Sequence, residues 1–359
     1  MINLTDYGFK PTYLHEVTLS DANETIPARV TAVHRDRYEL ICSYGQTYGR
    51  LKTAEYYTGN EVFPTTGDFV LIRYQTDGES RIVKTLPRRS CFSRLDPSSS
   101  GHGEQAVAAN FDDVFIMQSL NHDFNPHRLE RYLTLAWQSG AVPTVLLTKA
   151  DVTEDFSPMM RKAEQIANGV PVYAVSAKTG YGLSLLAECL KPGKTVVFLG
   201  SSGVGKSSLV NALAGEEIMT VGGIREDDSK GRHTTTHRQL IRLKNGVMII
   251  DTPGMRELGM WDVSDGIGQS FSDVEQYLGK CRFSDCTHGN EPGCAVREAI
   301  ESGDLSRDRW ESYLALKNEA KYSDDKPEYL REKQKWHKSI AKKNRNMKKY
   351  GKHDLGYHD

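Results

Sequence analysis

No stretch of this 359-residue chain approaches the roughly 18 consecutive apolar residues of a membrane-spanning helix. The polar opening Met1 to Lys10 lacks the apolar core of a signal peptide. The expectation is a cytoplasmic protein with no membrane partner. No long heptad repeat is present either, which leaves a monomer as the default assembly. Charge of one sign is also missing. The 46 Lys and Arg against 47 Asp and Glu give a net charge of −1, so the overall balance offers no argument for a polyanionic partner. Finally, no Cys-x-x-Cys occurs, which speaks against a redox pair.

Local distribution says more than the totals. From Arg331 to Lys352 ten Lys or Arg face the single Glu332, a net charge of +9, and Trp336, His337 and Tyr350 are interleaved with them. Such a tail suits RNA phosphates, and a solvated basic helix is the plainer reading. The 6 cysteines divide unevenly. Cys42, Cys91 and Cys189 are scattered, whereas Cys281, Cys286, His288 and Cys294 stand as C-x4-C-x-H-x5-C among the turn formers Asp285, Gly289, Pro292 and Gly293. Three thiolates and one imidazole make a closed tetrahedral set for one structural Zn²⁺. Free cysteines in a turn-rich loop are the alternative.

Periodicity divides the chain. After an N-terminal extension (1–27), residues 28–94 hold about five short alternating runs punctuated by Gly, Asp and Asn. These predict a small all-β barrel, with the five-stranded OB-fold leading and an SH3-like barrel as the near alternative. A linker (95–109) containing Pro97-Ser-Ser-Ser-Gly-His-Gly follows. From 110 to 268 apolar runs alternate with helical stretches, which predicts a parallel sheet covered by helices. Residues 269–359 carry the cysteine group and the basic helical tail. The fold class expected is multidomain: an all-β barrel, a central α/β domain and a zinc-binding helical domain.

The chemistry sits at predicted strand ends. Gly200-Ser201-Ser202-Gly203-Val204-Gly205-Lys206-Ser207 is a complete G-x-x-x-x-G-K-[ST] loop between the β-type run Thr195 to Leu199 and the helical run opened by Ser208. Its glycines let backbone N–H groups face phosphates; Lys206 reaches the β- and γ-phosphates and Ser207 offers Mg²⁺ a hydroxyl. A Gly-rich surface turn is the plainer reading. Asp251-Thr252-Pro253-Gly254 follows the run Val247 to Ile250, where Asp251 suits a water-mediated Mg²⁺ contact and the Gly254 N–H a γ-phosphate. Thr148-Lys149-Ala150-Asp151 follows Val145 to Leu147. A carboxylate there accepts two hydrogen bonds from guanine, a pattern adenine lacks, and the Lys149 stem packs along the base. Ser176-Ala177-Lys178 completes the base side. Each tetrapeptide alone is weak and fits an ordinary loop; together they form a GTP/GDP site with Mg²⁺.

With these motifs, Gly231-Arg232-His233-Thr234-Thr235-Thr236 and Glu291-Pro292-Gly293-Cys294, nearly the whole chain resembles the ribosome small-subunit-dependent GTPase A family of circularly permuted GTPases. Base motifs at 148 and 176 precede the phosphate loop at 200, and 231–236 and Asp251 follow. The resemblance implies a GTPase stimulated by the small (30S) ribosomal subunit, acting late in its maturation through ribosomal RNA contacts. It implies that His233 positions the attacking water once a partner orders switch I; a solvent-facing histidine that only touches RNA is the other reading. It also implies that Thr235 binds Mg²⁺, with Thr234 a near alternative.

Two departures stand out. Met255 occupies the place where many GTPases have a water-orienting Gln, and a thioether cannot do that work. Thr148 stands where Asn is usual, so a weaker tie between base loop and phosphate loop is expected. The order of motifs further predicts that nucleotide state biases the C-terminal domain directly. Two rival functions share these motifs: an ATP-dependent kinase or motor, which Asp151 opposes, and an RNA-binding scaffold with structural nucleotide, which His233 and the Mg²⁺ set oppose. Arg88, Arg89 and Arg94 are expected to add charge at the barrel exit.

Overall fold

The computed structural model describes residues 1–15, 24–51, 62–95, 104–121, 123–219, 238–251, 263–289 and 291–320. His233, Thr234, Thr235, Gly254, Met255 and the tail 331–352 lie outside the described residues.

Two short 3-10 turns, Leu4–Tyr7 and Pro11–Leu14, precede strand β1 (Ile26–Val33). Then come β2 (Tyr38–Cys42), β3 (Gly45–Leu51), β4 (Phe69–Arg73) and β5 (Ser80–Thr85). Strand β1 pairs with both β2 and β4, β5 pairs antiparallel with β4, and β3 pairs parallel with β5. The five strands therefore close into a barrel of the OB type, and closure leaves no bare edge. Ala28, Val30, Leu40, Val70, Ile72 and Ile82 fill its interior. The alternation that predicts these strands is the period-2 consequence of one wet and one dry face.

A ribbon of β6 (Cys91–Leu95) and β7 (Glu104–Ala109) follows. The sequence reading has a linker here, yet the half from 104 onward is a strand. Its Val107, Ala108 and Ala109 are buried, and small residues carry little β signal of their own, so tertiary packing decides the conformation.

The α/β part runs β8 (Asp113–Ser119), α1 (Pro126–Gln138), β9 (Val142–Thr148), α2 (Ser157–Ala167), β10 (Val172–Val175), α3 (Leu183–Cys189), β11 (Thr195–Gly200), α4 (Lys206–Ala214), β12 (Gln239–Arg242) and β13 (Met248–Asp251). Among the described residues, α5 (Ser264–Ser270), α6 (Ser272–Glu275), α7 (Ala295–Ser302) and a helix over 307–320 follow. The sheet order is β10-β9-β8-β11-β13-β12, parallel except for β12, which forms a hairpin with β13. The Lys244-Asn245-Gly246 loop makes that hairpin possible: the Asn245 side chain accepts from Val247 N at 3.1 Å and Gly246 takes φ 81°.

Both faces of this sheet are buried, which is why its strands read as continuous apolar runs. Val114, Ile116, Val145, Leu147, Val197, Leu199, Met248 and Ile250 face α1, α2 and the C-terminal helices. Their alternates Phe115, Met117, Leu146, Val196, Phe198 and Ile249 face α3 and α4. Phe271, Val274, Val296, Trp310 and Tyr313 of the C-terminal helices belong to the same core as Leu129, Leu133 and Ala136 of α1. The expected boundary at 268 falls inside α5.

Candidate functional site

The phosphate loop leaves β11 at Gly200 and enters α4 at Lys206. Gly203 and Gly205 take φ of 76° and 102°, conformations closed to most side chains, so the loop curls over the helix N-terminus. Val204 is buried and anchors the curl from beneath. Lys206 pairs with the Asp251 carboxylate at the end of β13, which brings the two phosphate-side motifs together. Ser202, Ser207 and Ser208 lie along the exposed rim and first helical turn. Ser201 donates to Asp123 at 2.7 Å, and Arg128 in the first turn of α1 holds that carboxylate at 3.0 Å. Sequence reasoning missed Asp123 and Arg128, because neither belongs to a motif of fixed spacing.

The base side is built from the ends of β9 and β10. Thr148 is buried and donates its hydroxyl to Val204 O at 2.6 Å. The tie between base loop and phosphate loop is therefore direct, where the missing amide leads one to expect a weaker one: a short, buried hydroxyl reaches the loop carbonyl without a longer side chain. Lys149 adopts a left-handed φ of 59°, a strain of about 1 kcal/mol that persists where surrounding structure imposes it. Ser176 donates to Asp151 at 2.6 Å and accepts from Thr179 N at 3.2 Å, so the two base loops are stitched together. The Ser176 hydroxyl also holds the Asp151 carboxyl below the usual range, keeping it an anionic acceptor. Ala177 and Lys178 continue this loop at the surface. Thr148, Ser176, Gly200 and Asp251 all lie at the carboxyl ends of parallel strands, where ligands of open α/β sheets bind.

Cys281, Cys286, His288 and Cys294 converge so that their ligand atoms all lie within 4.8 Å of one another. Cys281 Sγ and Cys294 Sγ are 4.0 Å apart, and His288 Nδ1 lies 3.4 and 3.6 Å from them. A tetrahedron of ~2.3 Å Zn–S bonds has thiolates about 3.8 Å apart, so the donor set fits a structural zinc. His288 reaches in from a left-handed φ of 62°, and its ring meets Trp310 edge-on at 5.5 Å. The cluster thus leans on the helix over 307–320.

On the barrel, Tyr44 stacks on Tyr74 at 4.6 Å, and Arg37 covers the Tyr48 ring at 4.4 Å. Tyr44 and Tyr48 are exposed. This aromatic surface was invisible in the sequence because Tyr74, just after β4, meets Tyr44, in the turn before β3, only through the fold. Arg88, expected to add charge at the barrel exit, grips the buried Asp68 at 2.7 Å. Arg89 is engaged with Tyr13 and with Asp112, and Arg94 with Gln105.

A family model described as RsgA GTPase matches residues 85–261. A small ribosomal subunit biogenesis GTPase RsgA 2 of Listeria monocytogenes serotype 4b (strain F2365) is 45% identical over 322 residues, covering 89% of this chain and 90% of the relative. A small ribosomal subunit biogenesis GTPase RsgA of Methanosarcina acetivorans is 41% identical over 304 residues, covering 84% and 82%. The crystal structure of YjeQ from Thermotoga maritima superposes with a TM-score of 0.62 at 26% identity, covering 81% of this chain and 97% of that one. YloQ, described as a circularly permuted GTPase, shares the fold with a TM-score of 0.60 at 24% identity, covering 83% and 96%. Motif order, sheet order and these likenesses agree, and the chain belongs to the RsgA GTPase family.

Proposed function

We propose that this chain binds GTP with Mg²⁺, hydrolyses it to GDP and phosphate when seated on the small ribosomal subunit, and assists a late step of that subunit's maturation. The observation that carries the guanine reading is the Thr148–Val204 bond together with the Ser176–Asp151 bond. They hold a carboxylate for the base in fixed relation to a loop for the phosphates. Gly200 to Ser208 cradles the phosphates, and Thr148, Lys149, Asp151, Ser176, Ala177 and Lys178 take the base. Ser207, Thr235 and Asp251 would hold Mg²⁺, which neutralises charge developing on the phosphates. Lys206 leaves Asp251 for the β- and γ-oxygens when nucleotide enters. Gly254 senses the γ-phosphate, and His233 positions water in place of the Gln that Met255 displaces.

Cys281, Cys286, His288 and Cys294 hold one structural Zn²⁺ with no open position for catalysis. The chain divides into a barrel opened by β1, a permuted GTPase part and a zinc-bearing part that takes over beyond α5, working in the cytoplasm as a monomer. Ribosomal RNA is the partner surface. Tyr44, Tyr48 and Tyr74 offer rings for unstacked bases, and the tail 331–352 offers phosphate contacts. The name of the Listeria relative speaks for the small subunit as the assembly served.

Two measurements test this. Labelled GDP should be displaced by GTP and not by ATP; equal displacement would return the kinase or motor reading. Co-sedimentation with purified small subunits should be stronger with a non-hydrolysable GTP analogue than with GDP. Equal sedimentation in both states would contradict a nucleotide-gated role.

A further inference from the structure

The barrel is not hung beside the GTPase part on a linker; it joins the sheet at β12, the hairpin partner of β13, which ends in Asp251. Strand β1 pairs with β12 at Ala32 and Gln239, so the barrel and the parallel sheet form one continuous 11-stranded sheet among the described residues. Three barrel residues reinforce that seam. Thr66 is fully buried and donates its hydroxyl at 3.2 Å to the carbonyl O of Arg238, the residue just ahead of β12. Gly67 sits at φ +94°, and a Cβ there would come within 2.1 Å of Ala109 O and 2.8 Å of Ile250 Cδ1. Only glycine lets this barrel loop touch β13.

Arg29, on β1, is the third. Its guanidinium is wholly buried, lies 4.8 Å over the Phe69 ring, and donates to Gly67 O at 3.2 Å, Asn110 O at 2.9 Å, Met248 Sδ at 3.2 Å and Tyr7 O. Burying a cation among carbonyls is costly, and burial lowers its pKa to about 10, which leaves it charged at neutral pH. An apolar side chain would fill the space at less cost. What a guanidinium adds is a rigid fork of donors that ties four segments at once: the N-terminal turn, the barrel loop, the start of the α/β part, and β13. Met248 lies three residues before Asp251, the partner of Lys206.

We propose that Arg29, Thr66 and Gly67 form a coupling joint through which a ligand held by the barrel repositions β12 and β13, and through which the nucleotide reaches the barrel. The joint rests on the reading of Asp251 as part of the phosphate side. Arg29 and Thr66 are positioning residues; neither touches nucleotide. Because coupling between two sites is reciprocal, the nucleotide-to-barrel direction can be read without the subunit.

The test is hydrogen exchange on the full chain loaded with GDP or with a non-hydrolysable GTP analogue. The expected result is a nucleotide-dependent difference in protection over residues 26–33 and 65–73. Thr66→Val, which keeps the shape and removes the donor, should cut that difference at least three-fold while GDP affinity stays within two-fold. Thr66→Ser should restore it. No difference in the wild-type barrel despite bound nucleotide, or an undiminished difference in Thr66→Val, overturns the joint. Failure to bind either nucleotide would instead bring down the guanine reading and the joint together. The wild-type comparison stands even if a variant folds poorly.

Discussion

In the proposed site, Thr148 and Asp151 divide the work of the base loop between geometry and charge. Removing the Thr148 hydroxyl leaves Val204 O without its donor at 2.6 Å, a loss of about 1.4 kcal/mol on the scale of buried neutral hydrogen bonds. Thr148→Val should therefore weaken GDP binding about ten-fold in a fluorescent-nucleotide titration; unchanged affinity would show that the bond does not organise the site. Asp151→Asn swaps an acceptor for a donor and should shift preference from guanine to xanthine nucleotides in the same assay. The Ser176 hydroxyl sets the acid limit of Asp151. A depressed carboxyl contributes stability above its unfolded pKa and loses it as pH falls through its folded value, below the ordinary carboxylate range. Ser176→Ala should move that titration upward when followed by carboxyl NMR. The motifs that carry Asp151 and Lys206 stand out in the sequence because their spacing is fixed. The Val204 partner of Thr148 lies 56 positions away and was not.

At the scale of elements, α1 is the piece that joins the nucleotide loop to the C-terminal helices. Its first turn carries Arg128, which holds Asp123 against Ser201, and two residues on Glu130 meets Arg309 at 3.0 Å. Both members of that second pair are almost fully buried, and Arg309 also binds Asp273 at 2.9 Å and lies 4.0 Å over Phe271. Glu130→Gln removes one of the two carboxylates that hold Arg309, a charge-assisted bond rather than its whole compensation, so it should cost about 2 kcal/mol in denaturant unfolding. A cost below about 1 kcal/mol would mean that Asp273 alone satisfies Arg309. The cysteine cluster makes a parallel prediction. One zinc per chain should be released by a strong chelator, and the thermal transition should fall as α7 loses the Cys294 anchor at its start. A metal-free chain with an unchanged transition would contradict the structural role. Strands and helices were well foreshadowed wherever apolar periodicity was strong, as in β8, β9 and α1. The ribbon strand β7 was missed because Ala106, Val107, Ala108 and Ala109 gain their β conformation from burial against the fold, which no local pattern encodes.

At the scale of the molecule, permutation has a structural consequence. The phosphate loop sits mid-chain on β11, with base motifs before it on β9 and β10 and Asp251 after it on β13, yet space reunites them at one edge of the parallel strands. The barrel, which precedes all of these in sequence, adds its β1 to the far side of β12. Barrel, nucleotide site and cysteine cluster are thus continuous through β1–β12 on one side and α1 on the other. The sequence made the order of modules plain but not their seams, because Arg29, Thr66, Glu130 and Arg309 are single residues whose partners lie far along the chain.

The central claim is that this nucleotide site is completed by the small subunit. It is tested most directly by GTP turnover with and without purified small ribosomal subunits, for the wild type and for His233→Ala. The account predicts slow turnover alone, strong stimulation by small subunits and none by large ones, and loss of that stimulation in His233→Ala with GDP affinity unchanged. Equal turnover with and without small subunits would contradict it.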